Sequence, residues 1–132
     1  MRLSGVEAVV RIKSMRGRGG GVERVSYERI SGDVEEVLQV NLAYKHARKT
    51  NASATPVVRD ISLTDSVLTV SGRSSKGKEV PIVLCEGLDD SVVSNLTVGN
   101  LTLAGRVDGK QQCKYCEGRQ ETTTPKLCVK QQ

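Results

Sequence analysis

Apolar residues recur along this chain at matching offsets. Val22, Val25, Tyr27 and Ile30 can be laid on Val58, Ile61, Leu63 and Ser66, and both on Val93, Leu96, Val98 and Leu101. Offsets 0, 3 and 5 are apolar in all three runs and offset 8 in two; Ser66 breaks the last slot, with Val67 beside it. A second strand-like element lies between these runs: Val9, Val10 and Ile12, then Val37, Val40 and Leu42, then Val80, Ile82, Val83 and Leu84. The order is strand, turn, strand, loop, three times over. Stretches 45–56 and 71–78 carry the Ser, Lys, Gly and Pro of the loops. No segment sustains a 3.6-residue apolar period. Repeats that cannot each bury a face, and stack to share one core, indicate a solenoid. The strand length and the short turns at Gly or Asn fit a parallel β-helix. An antiparallel sandwich of about six strands fits the same pattern and stays open at this point.

Composition sharpens the choice. Val, Leu and Ile supply 34 of 132 residues, Val alone 19, while Phe and Trp are absent and only Tyr27, Tyr44 and Tyr115 are aromatic. A compact sandwich ordinarily uses large aromatic fillers; stacked aliphatic ladders need none. The length fits one domain or a piece of one. No apolar run approaches ~20 residues, so no membrane helix is expected. The N-terminal Met1–Glu7 is too short and polar for a signal peptide. A net charge of +5 and a pI near 9.2 favour an acidic partner: nucleic acid, an anionic membrane surface or a polyanionic carbohydrate.

The candidate chemistry centres on Arg11-Ile12-Lys13, which runs into the glycine-rich stretch ending at Gly21. On a strand, residues two apart share a face, so Arg11 and Lys13 present two cations side by side while Ile12 turns to the core. Such a pair suits a carboxylate or phosphate. Read plainly, it is a solvated strand edge whose cations discourage aggregation. Arg16-Gly17-Arg18-Gly19-Gly20 resembles an RNA-binding segment, but it stands single, between strand patterns and without aromatic interleaving; no nucleic-acid partner is expected. Cys113 and Cys116 with Cys128 lack the second half of a zinc site unless Cys85 or the lone His46 supplies it. Disulfides account better for the four cysteines, in any of three pairings. Sequons at Asn51, Asn95 and Asn100, taken with clustered cysteines, point to a secretory origin. Asp89-Asp90 reads as a turn, because adjacent strand residues point oppositely, and His46 as a solvated loop residue. No Ser/His/Asp order, Walker loop or metal-binding helix motif is present.

Around Arg11-Ile12-Lys13 the chain resembles the polygalacturonases, glycoside hydrolase family 28. The likeness runs from Val10 through the glycines into Val22-Glu-Arg-Val-Ser-Tyr27. It continues in Val37 to Tyr44, Thr55 to Leu63 and Val92 to Val98, and ends in Cys113, Gly118 and Pro125 to Cys128. It covers roughly residues 9–128 and is most specific in its first thirty. The resemblance implies a right-handed, single-stranded parallel β-helix, with coils over about 9–108 and a cysteine-containing tail over 109–132. It implies polygalacturonate as ligand, with Arg11 and Lys13 on the sugar carboxylates and Tyr44 against the sugar. It also implies a Cys113–Cys128 disulfide and an extracellular or cell-wall location; no cofactor, metal or membrane partner is expected.

One part of the family pattern is missing. These enzymes hydrolyse with inversion, using aspartates in Asn-Thr-Asp and Asp-Asp motifs upstream of Arg-Ile-Lys, with a Gly-His-Gly nearby. Only ten residues precede Arg11 here and none of these motifs is among them; Asp89-Asp90 lies downstream. An inverting glycosidase needs an acid and a base across the bond. The expectation is therefore a C-terminal portion of such an enzyme, with no catalytic residue of its own, inactive alone. An open N-terminal coil prone to self-association is expected with it. A non-catalytic pectin-binding solenoid is the alternative.

Overall fold

The computed structural model describes residues 1–15, 17, 19–44, 54–122 and 126–130. Eight strands follow in order: β1 (Arg2–Lys13), β2 (Gly21–Glu28), β3 (Ser31–Asn41), β4 (Val57–Val70), β5 (Val83–Glu86), β6 (Val93–Gly105), β7 (Gln111–Lys114) and β8 (Cys116–Glu121). Every pairing between them is parallel. The chain is a parallel β-helix, not a sandwich.

The register resolves three faces. Residues 8–13 of β1, 36–41 of β3, β5 and β7 stack as the first face. The second is β2, residues 57–64 of β4, residues 93–99 of β6, and β8. The third is residues 2–3 of β1, 31–34 of β3, 66–70 of β4 and 101–105 of β6. Two strands per repeat were expected. The third face stayed hidden because β4 and β6 run through its corner as single strands, each shifting its alternation by one residue there. Asp65 and Asn100 make that crossing, each in the left-handed region at φ 52° and 50°. Short polar Asn and Asp adopt this conformation most readily among non-glycine residues. Asn100 Nδ2 donates to Asp65 Oδ1 at 2.8 Å, and Asn95 Nδ2 to Asp60 Oδ1 at 2.7 Å, so successive corners are bonded to each other. These are two of the three sequon asparagines; Asn51 lies outside the described residues.

Like residues lie under like, at the ~4.8 Å spacing of neighbouring strands. Val10, Leu38 and Val83 form one buried column, Ile61 and Leu96 another, Leu63 and Val98 a third. Each fully buried Leu or Val contributes about 1.5–3 kcal/mol, so aliphatic columns suffice without large rings. Ser66, the break in the repeat, is buried at the corner. Its hydroxyl accepts from the Ile30 N–H at 3.1 Å and donates to the Thr64 carbonyl at 2.9 Å. Gly118 lies under Leu96, where a Cβ would stand 2.2 Å from the Leu96 carbonyl oxygen; only glycine fits.

Stacking extends beyond the expected coil limits. It begins at Arg2 rather than residue 9, and β7 and β8, inside the stretch expected as a tail, build two faces of the last coil. Their backbones take up the edges of β5 and β6, which would otherwise leave a row of unpaired groups. The remaining terminal segment covers the core: Leu127 and Val129 are buried, and the Leu127 and Cys128 N–H groups donate to Gln120 Oε1 at 2.6 Å and Gln111 Oε1 at 2.7 Å. Two disulfides tie this end together, Cys113–Cys128 and Cys85–Cys116.

Candidate functional site

The outer side of the first face carries the site. Strand alternation sends Val10 fully inward and packs Ile12 against the core, which turns Arg11 and Lys13 outward. Below them in register are Gln39 and Asn41, then Leu84 and Glu86, then Gln112 and Lys114. Four tiers therefore present two ladders, Arg11–Gln39–Leu84–Gln112 and Lys13–Asn41–Glu86–Lys114.

Each cation is held. Arg11 Nε donates to Gln39 Oε1 at 3.0 Å and also pairs with the Glu7 carboxylate four residues earlier. Gln39 in turn donates from Nε2 to Glu36 Oε2 at 2.6 Å. This relay leaves the Gln39 amide one orientation, oxygen towards Arg11 and nitrogen towards Glu36. Lys13 Nζ lies over the Tyr44 ring, 4.8 Å from its centre. Tyr44 is brought there by a tight turn: Asn41 Oδ1 accepts from the Ala43 N–H at 2.9 Å, and the Tyr44 N–H donates to the Ser14 carbonyl at 2.9 Å. The structure thus gathers Arg11, Lys13 and Tyr44 on one side of two adjacent strands.

Glu36 is the unexpected member. Its side chain is buried and its carboxyl is pushed up from 4.5 to about 7. Burial is the main cause, followed by the charges of Glu7 and Glu35; Lys13 and the Gln39 hydrogen bond oppose it. Gln39, Asn41 and Glu36 escaped the sequence reading. The signal available was the alignment of Val9–Lys13 with Val37–Asn41, which puts Gln39 under Arg11 and Asn41 under Lys13.

The remaining candidates go elsewhere. Asp89 and Asp90 are exposed in a two-residue turn, closed by hydrogen bonds between Leu88 and Ser91. All four cysteines are in disulfides, so none is a thiolate ligand, and among the described residues no cluster of three His, Cys, Asp or Glu could hold a metal. Arg16, Arg18 and His46 lie outside the described residues.

The family model described as glycosyl hydrolases family 28 matches residues 1–125 of the 132. The chain belongs to glycosyl hydrolase family 28. No curated protein and no solved structure matches it. Family membership makes this a polygalacturonase-like glycoside hydrolase chain, and a polysaccharide the general class of its ligand. Family 28 proteins are generally extracellular, and two disulfides suit an oxidising compartment.

Proposed function

We propose that the chain holds polygalacturonate by its sugar carboxylates on the first face, with Arg11 and Lys13 as the cations and Tyr44 against a sugar ring. The observation that carries this reading is the fixed pair itself. Two cations leave one rigid strand on one side, one oriented by Gln39 and Glu7, the other lying on an aromatic ring. Pre-orientation matters because an acidic polymer in water gains little from loose surface charges.

On this reading the parent reaction is inverting hydrolysis of α-1,4-galacturonan, and these 132 residues by themselves bind without turnover. Inversion needs one carboxyl to protonate the leaving oxygen and another to activate water. Beside the pair, Glu36 is buried behind Gln39 and Glu7 is engaged by Arg11, which leaves neither as an unengaged acid or base for a sugar. Binding to a pectin-rich wall is the corresponding location.

Isothermal titration with polygalacturonate tests the binding. Saturable binding that weakens with salt and drops on Arg11→Ala is the expected result; no binding at low salt would overturn the proposal. Release of reducing ends from the polymer, lost on Arg11→Ala, would overturn the claim that the chain does not cleave.

A further inference from the structure

The first face repeats its cationic motif at the other end. Lys114 stands in the same ladder as Lys13, three tiers away and exposed. Three strand spacings put the two lysine positions about 14 Å apart along the solenoid. Lys114 Nζ lies over the Tyr115 ring, 5.4 Å from its centre, as Lys13 lies over Tyr44. Both tyrosines emerge at the same corner, where a first-face strand ends and the chain turns to the second face. Tyr115 makes that turn alone, in the left-handed conformation at φ 53°, and the residue is 44% exposed.

A cleft of about 380 Å³ opens beside this pair, lined by Leu84, Glu86, Gln111, Gln112, Cys113 and Lys114. Gln112 supplies amide groups at the tier of Lys114, and Leu84 an apolar floor. The pair is also braced on both sides. Cys113 is bonded to Cys128 and Cys116 to Cys85, so Lys114-Tyr115 is bracketed by two cross-links. A surface Lys-Tyr dipeptide in an ordinary loop has no such bracing. Bracing lowers the ordering entropy that a ligand must otherwise overcome.

We infer that Lys114, Tyr115 and Gln112 form a second subsite for an acidic sugar, reached by a polyuronate chain that runs along the solenoid from Arg11 and Lys13. This rests on the polyuronate reading of the first cation pair. The chemistry is the same at both ends: an ammonium for a carboxylate, an aromatic face for the C–H side of a sugar ring, amides for hydroxyls. Glu86 stands between the lysines in the ladder and opposes an acidic ligand there. It sets a direction for a second variant.

The test is affinity against ligand length, by titration calorimetry with trigalacturonate and octagalacturonate. The trimer is too short to span both pairs, and the octamer spans them. Lys114→Ala and Tyr115→Ala are expected to weaken the octamer about tenfold, the loss of one charge-assisted contact, and to leave the trimer unchanged. Glu86→Gln is expected to tighten the octamer alone. Lys78→Ala removes the same charge from the loop between β4 and β5 and is expected to change neither. An octamer affinity unchanged in Lys114→Ala but lost in Arg11→Ala overturns the subsite and leaves the first reading standing. Equal weakening by Lys114→Ala and Lys78→Ala shows a diffuse field and also overturns it. Failure of the wild-type chain to bind either ligand overturns both readings together.

Discussion

Glu36 makes the stability of this solenoid depend on pH in a direction opposite to that of a surface carboxylate. The group is 2% exposed and its carboxyl is pushed up to about 7. Below its ordinary value of 4.5 it is protonated in both folded and unfolded chains. Between 4.5 and about 7 the folded chain keeps a proton that the unfolded chain has released. Stability therefore falls as pH rises through this window, and the full cost is present above it. At about 1.4 kcal/mol per pH unit, the cost reaches about 3 kcal/mol. Glu36→Gln removes the charge and keeps an oxygen for Gln39 Nε2. Urea unfolding of both proteins, disulfides intact, at about pH 4 and about pH 8 isolates the effect, because every other titrating group is common to both. The variant's advantage is expected to grow by about 3 kcal/mol between the two conditions, a midpoint change of about 1.5 M at a typical urea slope. Curves that stay parallel, or a variant that loses ground at high pH, would refute the argument that Glu36 is buried beside other acids without full compensation.

Gln39→Leu removes the oxygen that holds Arg11 Nε and the N–H that serves Glu36; affinity for polygalacturonate by calorimetry should fall about three- to tenfold, and stability by about 1–3 kcal/mol for a buried acceptor left unmet. Asn100→Ala loses both the left-handed preference and the bond to Asp65, so thermal or urea unfolding should show a loss of about 2 kcal/mol. Asn100→Gly, which keeps the backbone freedom, should recover about half. β1 pairs only with β3 among the described residues, so the 132-residue chain expressed by itself should self-associate through that edge in light scattering; Val9→Pro, which removes a donor from the strand, should reduce it, and a clean wild-type monomer at high concentration would count against the edge as the cause.

The repeat was legible because parallel stacking leaves a trace in sequence. Residues one coil apart occupy equivalent environments, so Val22, Val58 and Val93 recur 36 and 35 residues apart, and the paired register follows that alignment. The third face left only its first position, offset 8 of the repeat, as a trace. Its corners are made by single residues in the left-handed region, and Leu68, Val70 and Leu101 read as continuations of the preceding strand. The shared side of Arg11 and Lys13 followed from strand alternation alone. Gln39 did not, because a neutral amide has no signature until the neighbouring coil is placed beside it. Glu36 was hidden for a different reason. A glutamate beside Glu35 reads as solvated, and only the corner between the third and first faces buries it. The four cysteines allowed three pairings; carrying Cys113 and Cys116 on different faces of the last coil separates those two, and the structure pairs Cys85 with Cys116 and Cys113 with Cys128.

Stacking also explains why the cations are where they are. In a parallel solenoid each outward side chain has a neighbour about 4.8 Å away on the next coil. Two like charges at that spacing repel by about 1 kcal/mol in water and about 3 kcal/mol where solvent is partly excluded. A column of four lysines would be self-destabilising. The ladders avoid this: Lys13 stands over Asn41, and Glu86 lies between Asn41 and Lys114, while Arg11 stands over Gln39. Cations consequently pair along a strand, as Arg11 and Lys13 do two residues apart, or return only after intervening tiers. A ligand that satisfies both arrangements must place anionic groups close together at one point and again at a distance along one axis. An extended polyuronate, with a carboxylate on every sugar, has that property; a single phosphate or a compact carboxylate does not.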